Sequence, residues 1–219
     1  YIQIAQTPKY VAYFRNSVIV AVGTVLTTLV LSVPAGYAFS RYRFRGKSAL
    51  LSAVMSVQMF PIVVILASLY IFYTKLGLLS SYPGLILSDT TFALPLAVTL
   101  VKSFFDTVPK SLDESARIDG AGDFYLFWRI IFPLLAPMNA TVGILTCVWA
   151  WNDFIMPLVV LTEPSDRTLS LAQYVFQGQY NTDYTVAFSS YLMAMAPLLI
   201  IYIFSQRWVI SGVTRGSIK

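Results

Sequence analysis

The chain has 219 residues, 57% of them hydrophobic and 11% charged, with 15 Lys and Arg against 10 Asp and Glu. A soluble domain carries about 25% charged residues, so a chain this poor in charge cannot cover its surface in water and belongs in lipid. The absence of His removes the commonest general base and nitrogen metal ligand, and the single Cys147 allows no internal disulfide, which excludes the usual staffing of an enzyme site.

A bilayer core about 30 Å thick takes about 20 helical residues. After an outer-side segment at 1–15, apolar runs of that length predict spans at about 16–40, 48–74, 82–101, 134–153 and 185–206, the third interrupted by Asp89. The fold class is therefore an all-α polytopic membrane protein with five spans in a transmembrane domain over 16–206. Pro34, Pro61, Pro95, Pro157 and Pro197 lie in or beside these runs, where each removes a backbone donor and favours a kink or a packing irregularity repaired by neighbours.

Direction follows from Lys and Arg. Arg41, Arg43, Arg45 and Lys47 lie between the first two spans, Lys102, Lys110, Arg117 and Arg129 follow the third, and Arg207, Arg215 and Lys219 follow the fifth. A cytoplasmic exit from every odd span puts all of these on one side and leaves Lys9, Arg15, Lys75 and Arg167 opposite. The chain then enters its first span from outside, for which a preceding sixth span at the amino terminus is the expected arrangement.

The cytoplasmic loop at 102–137 has its own helix grammar. Ser111 and Glu114 fit a capping box after Pro109, Gly120 suits a left-handed stop, and Asp123 suits the cap of a second short helix. In that second helix Phe124, Phe127, Trp128 and Ile131 recur at helical spacing, and Pro133 is expected to close it. The pattern predicts two short helices around a Gly120-Ala121-Gly122 corner, presenting a knob below the membrane.

Further along, Trp149, Trp151, Asn152 and Asp153 border the fourth span. They are either a substrate path, with a Trp plane suited to a sugar's C–H face, or interface anchors and a helix cap. Asp89 and Asp153 are either functional intramembrane carboxylates or solvated groups near the outer surface. The outer loop at 162–184 is the longest polar excursion on its face, with Gln177, Gln179, Tyr180 and Asn181 as candidate contacts, and a cytoplasmic tail at 207–219 carries Gly212, Arg215, Gly216 and Lys219.

Glu114-Ser115-Ala116-Arg117-Ile118-Asp119-Gly120-Ala121 followed by Ile130-Ile131-Phe132-Pro133 resembles the EAA loop of bacterial ABC importer permeases, with Ser115 and Phe132 standing where the family has Ala and Leu. Ile118 to Ala121, Trp149 to Phe154 and the glycine-bearing tail make it similar to the carbohydrate branch, close to the second permease of maltose-type systems. The resemblance implies six spans in a complete member and a prokaryotic inner or plasma membrane. It also implies a second homologous permease, an ATP-binding-cassette ATPase dimer that holds ATP and magnesium, and an extracytoplasmic solute-binding protein. Glu114, Ser115, Ala116, Ile118, Asp119, Gly120, Ala121 and Phe124 would meet the ATPase, with Glu114 either pairing with a basic group there or only completing its own cap. The tail would reach the ATPase pair, and Gln177 to Asn181 the binding protein.

An ion-gradient-driven transporter using Asp89 or Asp153 is the alternative, opposed by the loop at 111–133. No Gly-x-x-x-x-Gly-Lys-Ser/Thr phosphate loop occurs, so this chain itself is expected to hold no nucleotide, and neither nucleic acid nor a metal is expected as a ligand.

Overall fold

The computed structural model describes residues 8–179 and 184–217, and all regular structure among them is helical. Helix α1, Pro8–Arg41, runs unbroken through Pro34. Its Val, Leu and Ala-rich sequence is apolar around the whole circumference, as a helix in lipid must be. One stripe is nevertheless small, with three hydroxyls: Val20, Thr24, Thr28 and Ser32 recur every four residues and are buried. Such residues let neighbouring backbones come close.

Helix α2, Lys47–Ser56, leaves a left-handed Gly46 and passes through a 3-10 turn at Val57–Met59, before α3, Ile62–Leu76, ends at a left-handed Gly77. The run at 48–74 was expected as one span, but α2 and α3 meet at a bend of 100°. The cause is Pro61, whose ring pushes Phe60 out of the helical region to φ −84°, ψ 123°. Of the prolines expected to kink spans, this one breaks a helix, whereas Pro34, Pro95 and Pro197 lie inside continuous ones.

Helix α4, Tyr82–Thr107, starts from Ser81, whose hydroxyl accepts the Gly84 N–H at 3.2 Å, and continues through Asp89. Two short helices follow, α5 at Lys110–Ile118 and α6 at Asp123–Leu134, then α7 at Ala136–Asn152 after a bend of 70°. Pro133 sits inside α6, and the break falls at Leu135 instead. Helices α8 (Ile155–Val160), α9 (Leu169–Gln179) and α10 (Tyr184–Ser217) complete the chain. By length and composition α1 and α4 can each cross a membrane singly, and α2–α3 and α6–α7 do so only as bent pairs.

α1 packs along α4 and α7, and α10 lies on α7. The approach of α1 to α4 depends on Gly36, where a Cβ would stand 2.6 Å from a Val101 methyl and 3.0 Å from the Lys102 backbone nitrogen. An outer core gathers Val20, Tyr73, Leu85, Met156 and Val160. The inner core gathers Tyr37, Val101, Phe105, Leu126, Ile131 and Met138, and includes Ala116 of α5. The short helices are thus rooted in the bundle.

Candidate functional site

The α5–α6 corner is built by local rules. Pro109, extended at φ −58°, ψ 134°, cannot continue α4 and starts α5 at Lys110. The capping box expected at Ser111 and Glu114 does not form, because Pro109 takes the N-cap position and Ser111 falls inside the first turn. There Ser111 O accepts the Ser115 hydroxyl at 2.7 Å. α5 stops in a Schellman motif: the Ala121 N–H reaches Ala116 O at 2.9 Å, the Gly120 N–H reaches Arg117 O at 3.1 Å, and Gly120 takes φ +86°. The left-handed stop lies where the sequence places it. Asp123 is the first residue of α6 rather than its cap, and it pairs with Arg117 across the corner.

Within α6 the backbone widens to a π-helix at Leu126–Ile131. A π turn aligns residues about five apart, so Leu126 and Ile131 both enter the core while Phe124 and Trp128 stay outside. The α-helical spacing that grouped Phe124, Phe127, Trp128 and Ile131 on one face does not survive that widening. The solvent side of the knob presents Ile118, 85% exposed, and Phe124, 79% exposed, with Glu114, Ser115, Asp119 and Gly120 around them. Ala116 faces the other way, buried in the inner core, and Ala121 packs against that core. Ala116 therefore anchors the knob and has no surface to offer another protein. Glu114 has no ion-pair partner among the described residues, and a Cβ on Gly120 would meet nothing within 4 Å.

An attachment that sequence patterns do not reveal holds the knob from behind. Arg41, the last residue of α1, places Nε 2.9 Å from Asp113 Oδ2, with the two side chains only 6% and 13% exposed. Its Nη2 donates to Val108 O at 3.0 Å. Breaking a buried pair by removing one partner costs about 3–5 kcal/mol, far more than loss of a surface pair. Arg41 looked like one of several orientation-setting cations, and only the fold shows it turned inward.

At the far end of α7 from the knob, Trp149, Asn152 and Asp153 line one open, mostly apolar hollow of about 610 Å³ together with Tyr202 of α10. Trp151 does not join them: it is buried edge-on against Phe14 at 5.6 Å and its Nε1 donates to Ala194 O at 3.2 Å. Asp153 Oδ1 accepts the Ile155 N–H at 3.0 Å, closing the turn into α8. Asp89, expected as a possible solvated group, is 0% exposed, and neither carboxylate oxygen has a hydrogen-bond partner among the described residues. The outer segment is tied to α1, where Asn16 Nδ2 donates to Ser165 O and Arg167 O at 2.9 and 3.1 Å. Gln177 and Gln179 lie in α9, whereas Tyr180 and Asn181 fall outside the described residues. Gly212, Arg215 and Gly216 belong to α10, and Lys219 falls outside the described residues.

A bundle of apolar helices carrying a rooted, two-helix knob is the architecture of a multi-helix membrane protein. The chain belongs to the family of binding-protein-dependent transport system inner membrane components, which matches residues 28–215. It is 36% identical to the multiple sugar-binding transport system permease MsmG of Streptococcus mutans over 94% of this chain and 76% of that one. It is 32% identical to the trehalose/maltose transport system permease MalG of Thermococcus litoralis, over 100% of this chain and 80% of that one. The fold matches a chain of a bacterial alginate ABC importer with a TM-score of 0.81 at 22% identity, covering 94% of this chain and 77% of that one. A second alginate transporter structure, in complex with an alginate pentasaccharide-bound periplasmic protein, matches with a TM-score of 0.72 at 16% identity, over 93% of this chain and 79% of that one. The chain is thus an ABC importer permease of the membrane, in the carbohydrate-uptake group.

Proposed function

We propose that this chain forms half of the translocation pathway for a sugar or oligosaccharide and couples it to a partner ATPase dimer through the α5–α6 knob. The observation that carries the reading is the knob's two-sidedness. Ala116, Leu126 and Ile131 root it in the permease core, while Ile118 and Phe124 stand almost fully exposed on a rigid Schellman corner. Apolar side chains held rigidly in solvent are the anchors that a protein pocket receives. ATP and magnesium bind in the partner, and alternating access follows from closure of the ATPase pair. The second half of the pathway comes from a companion permease, and an extracytoplasmic binding protein delivers substrate at the α9 side.

In this reading the membrane is crossed by α1, by the bent pair α2–α3, by α4, by α6–α7 and by α10, with the knob and the tail on the cytoplasmic side. Sugar as the cargo is supported by the names of the relatives. The decisive experiment is co-purification of the full chain from its native membranes with identification of the accompanying subunits. An ATP-binding-cassette subunit and a second permease are expected, and Ile118→Asp with Phe124→Asp should remove the ATPase while leaving the companion permease. Purification of the unmutated chain alone would overturn the reading.

A further inference from the structure

We propose that the Arg41–Asp113 pair is a mechanical latch that makes the inner end of α1 follow the α5–α6 knob when the knob is displaced. This rests on the knob being the ATPase docking element. The backbone ties the knob to two other helices, to α4 through Val108–Pro109 and to α7 through Leu135. α1 has no such tie, because α2, α3 and α4 intervene in the chain. Arg41 supplies it.

One guanidinium touches both sides of the joint: Nε stands 2.9 Å from Asp113 Oδ2 in the first turn of α5, an ion-pair contact outside hydrogen-bond geometry, and Nη2 donates to Val108 O at 3.0 Å. Just before it, Ser40 Oγ donates to Asp106 Oδ1 at 2.7 Å. One turn back, Tyr37 meets Phe105 edge-on at 5.2 Å and Phe127 at 5.1 Å. The last turn of α1 is therefore fastened to the end of α4, to α5 and to α6 together. Enclosure keeps water and salt from competing for the ion pair, so it can hold under displacement where an exposed pair would exchange partners. The breadth of the guanidinium matters too, since one nitrogen can hold Val108 O while the delocalised charge stays beside Asp113, which a Lys ammonium, a single point, cannot do in the same way. Adjacent acids divide the work: Asp113 is turned inward to α1, and Glu114, one residue on, faces solvent.

The test uses the full chain in its assembly with the subunits that co-purify with it, in lipid vesicles, with Cys147→Ala and spin labels on Val30→Cys of α1 and Val64→Cys of α3. Both label positions are exposed. Trapping with ATP and orthovanadate should change the label-to-label distance in the unmutated latch. In Arg41→Gln and in Asp113→Asn, nucleotide should still be trapped and the distance change should be lost, and the exchanged pair Arg41→Asp with Asp113→Arg should restore it. A distance change that persists in both single variants overturns the latch. So does loss of trapping in both that the exchange fails to repair, which would make the pair a structural support only. An unmutated assembly that traps no nucleotide sinks the docking reading, and the latch with it.

Discussion

Gly120 and Glu114 show how single positions of the knob divide between local geometry and surface. Gly120 takes φ +86° with open space where a side chain would stand, so substitution costs backbone strain without a clash inside this chain. Gly120→Val is expected to strain the corner by about 1–2 kcal/mol, since a β-branched residue resists the left-handed region. The expected outcome is uptake and ATPase association reduced while membrane insertion is intact, read by co-purification and by protease protection of the spans. Glu114 is exposed and is not part of a formed capping box, so a purely local role for its carboxylate has lost its support. Glu114→Lys should therefore weaken ATPase association more than Glu114→Gln, because reversal adds repulsion to a lost attraction. Equal behaviour of the two in a pull-down with the ATPase would remove the electrostatic contact.

At the scale of the helix pair, α1 and α4 make an interface that depends on a missing side chain. A Cβ on Gly36 would press on Val101 at 2.6 Å and on the Lys102 backbone at 3.0 Å, whereas one on Gly143 of α7 would rest against Val25 at an ordinary 3.6 Å. Gly36→Ala is accordingly expected to destabilise the permease by about 1–3 kcal/mol as overpacking. Gly143→Ala should be close to neutral. Thermal unfolding of the two variants in the same detergent checks this, and a Gly36→Ala protein as stable as the unmutated chain would mean that the helices part freely. The same scale explains which residues of α6 meet the core. A π-helical stretch moves Leu126 and Ile131 to one side and turns Phe124 and Trp128 outward, and no composition signal in Leu126–Ile131 announces that change of period.

For the molecule as a whole, orientation is the property with the plainest test. The excess of Lys and Arg beside α1, α4 and α10 is the basis for expecting the end of this chain on the cytoplasmic side. A Ser217→Cys chain carrying Cys147→Ala should therefore be labelled by a membrane-impermeant maleimide only from the cytoplasmic side. It should be shielded when the ATPase subunits are present. Labelling from the outside would overturn the orientation, and equal labelling with and without the ATPases would remove the tail contact alone.

The motif at 114–133 was needed to read the chain as a permease, whereas composition, apolar run length and charge placement were sufficient for an all-helical membrane protein. These features report on the solvent around the chain, and lipid acts on every residue of a span in the same way. The stop at Gly120 was legible too, because positive φ is a demand made by one residue and its nearest neighbours. The 100° bend at Phe60–Pro61 was half legible: proline marked the place, but an angle needs the helices on either side. Other features belong to residues far apart in the chain. Ala116 looked like a contact for a partner until the inner core was seen to occupy it. Trp151 looked like a neighbour of Trp149 in a substrate path until Phe14 and Ala194 were seen to enclose it. Arg41 looked like one orientation-setting cation among several, and the tertiary structure alone brought it to Asp113, because an ion pair between the first helix and the cytoplasmic loop leaves no periodic trace in either segment.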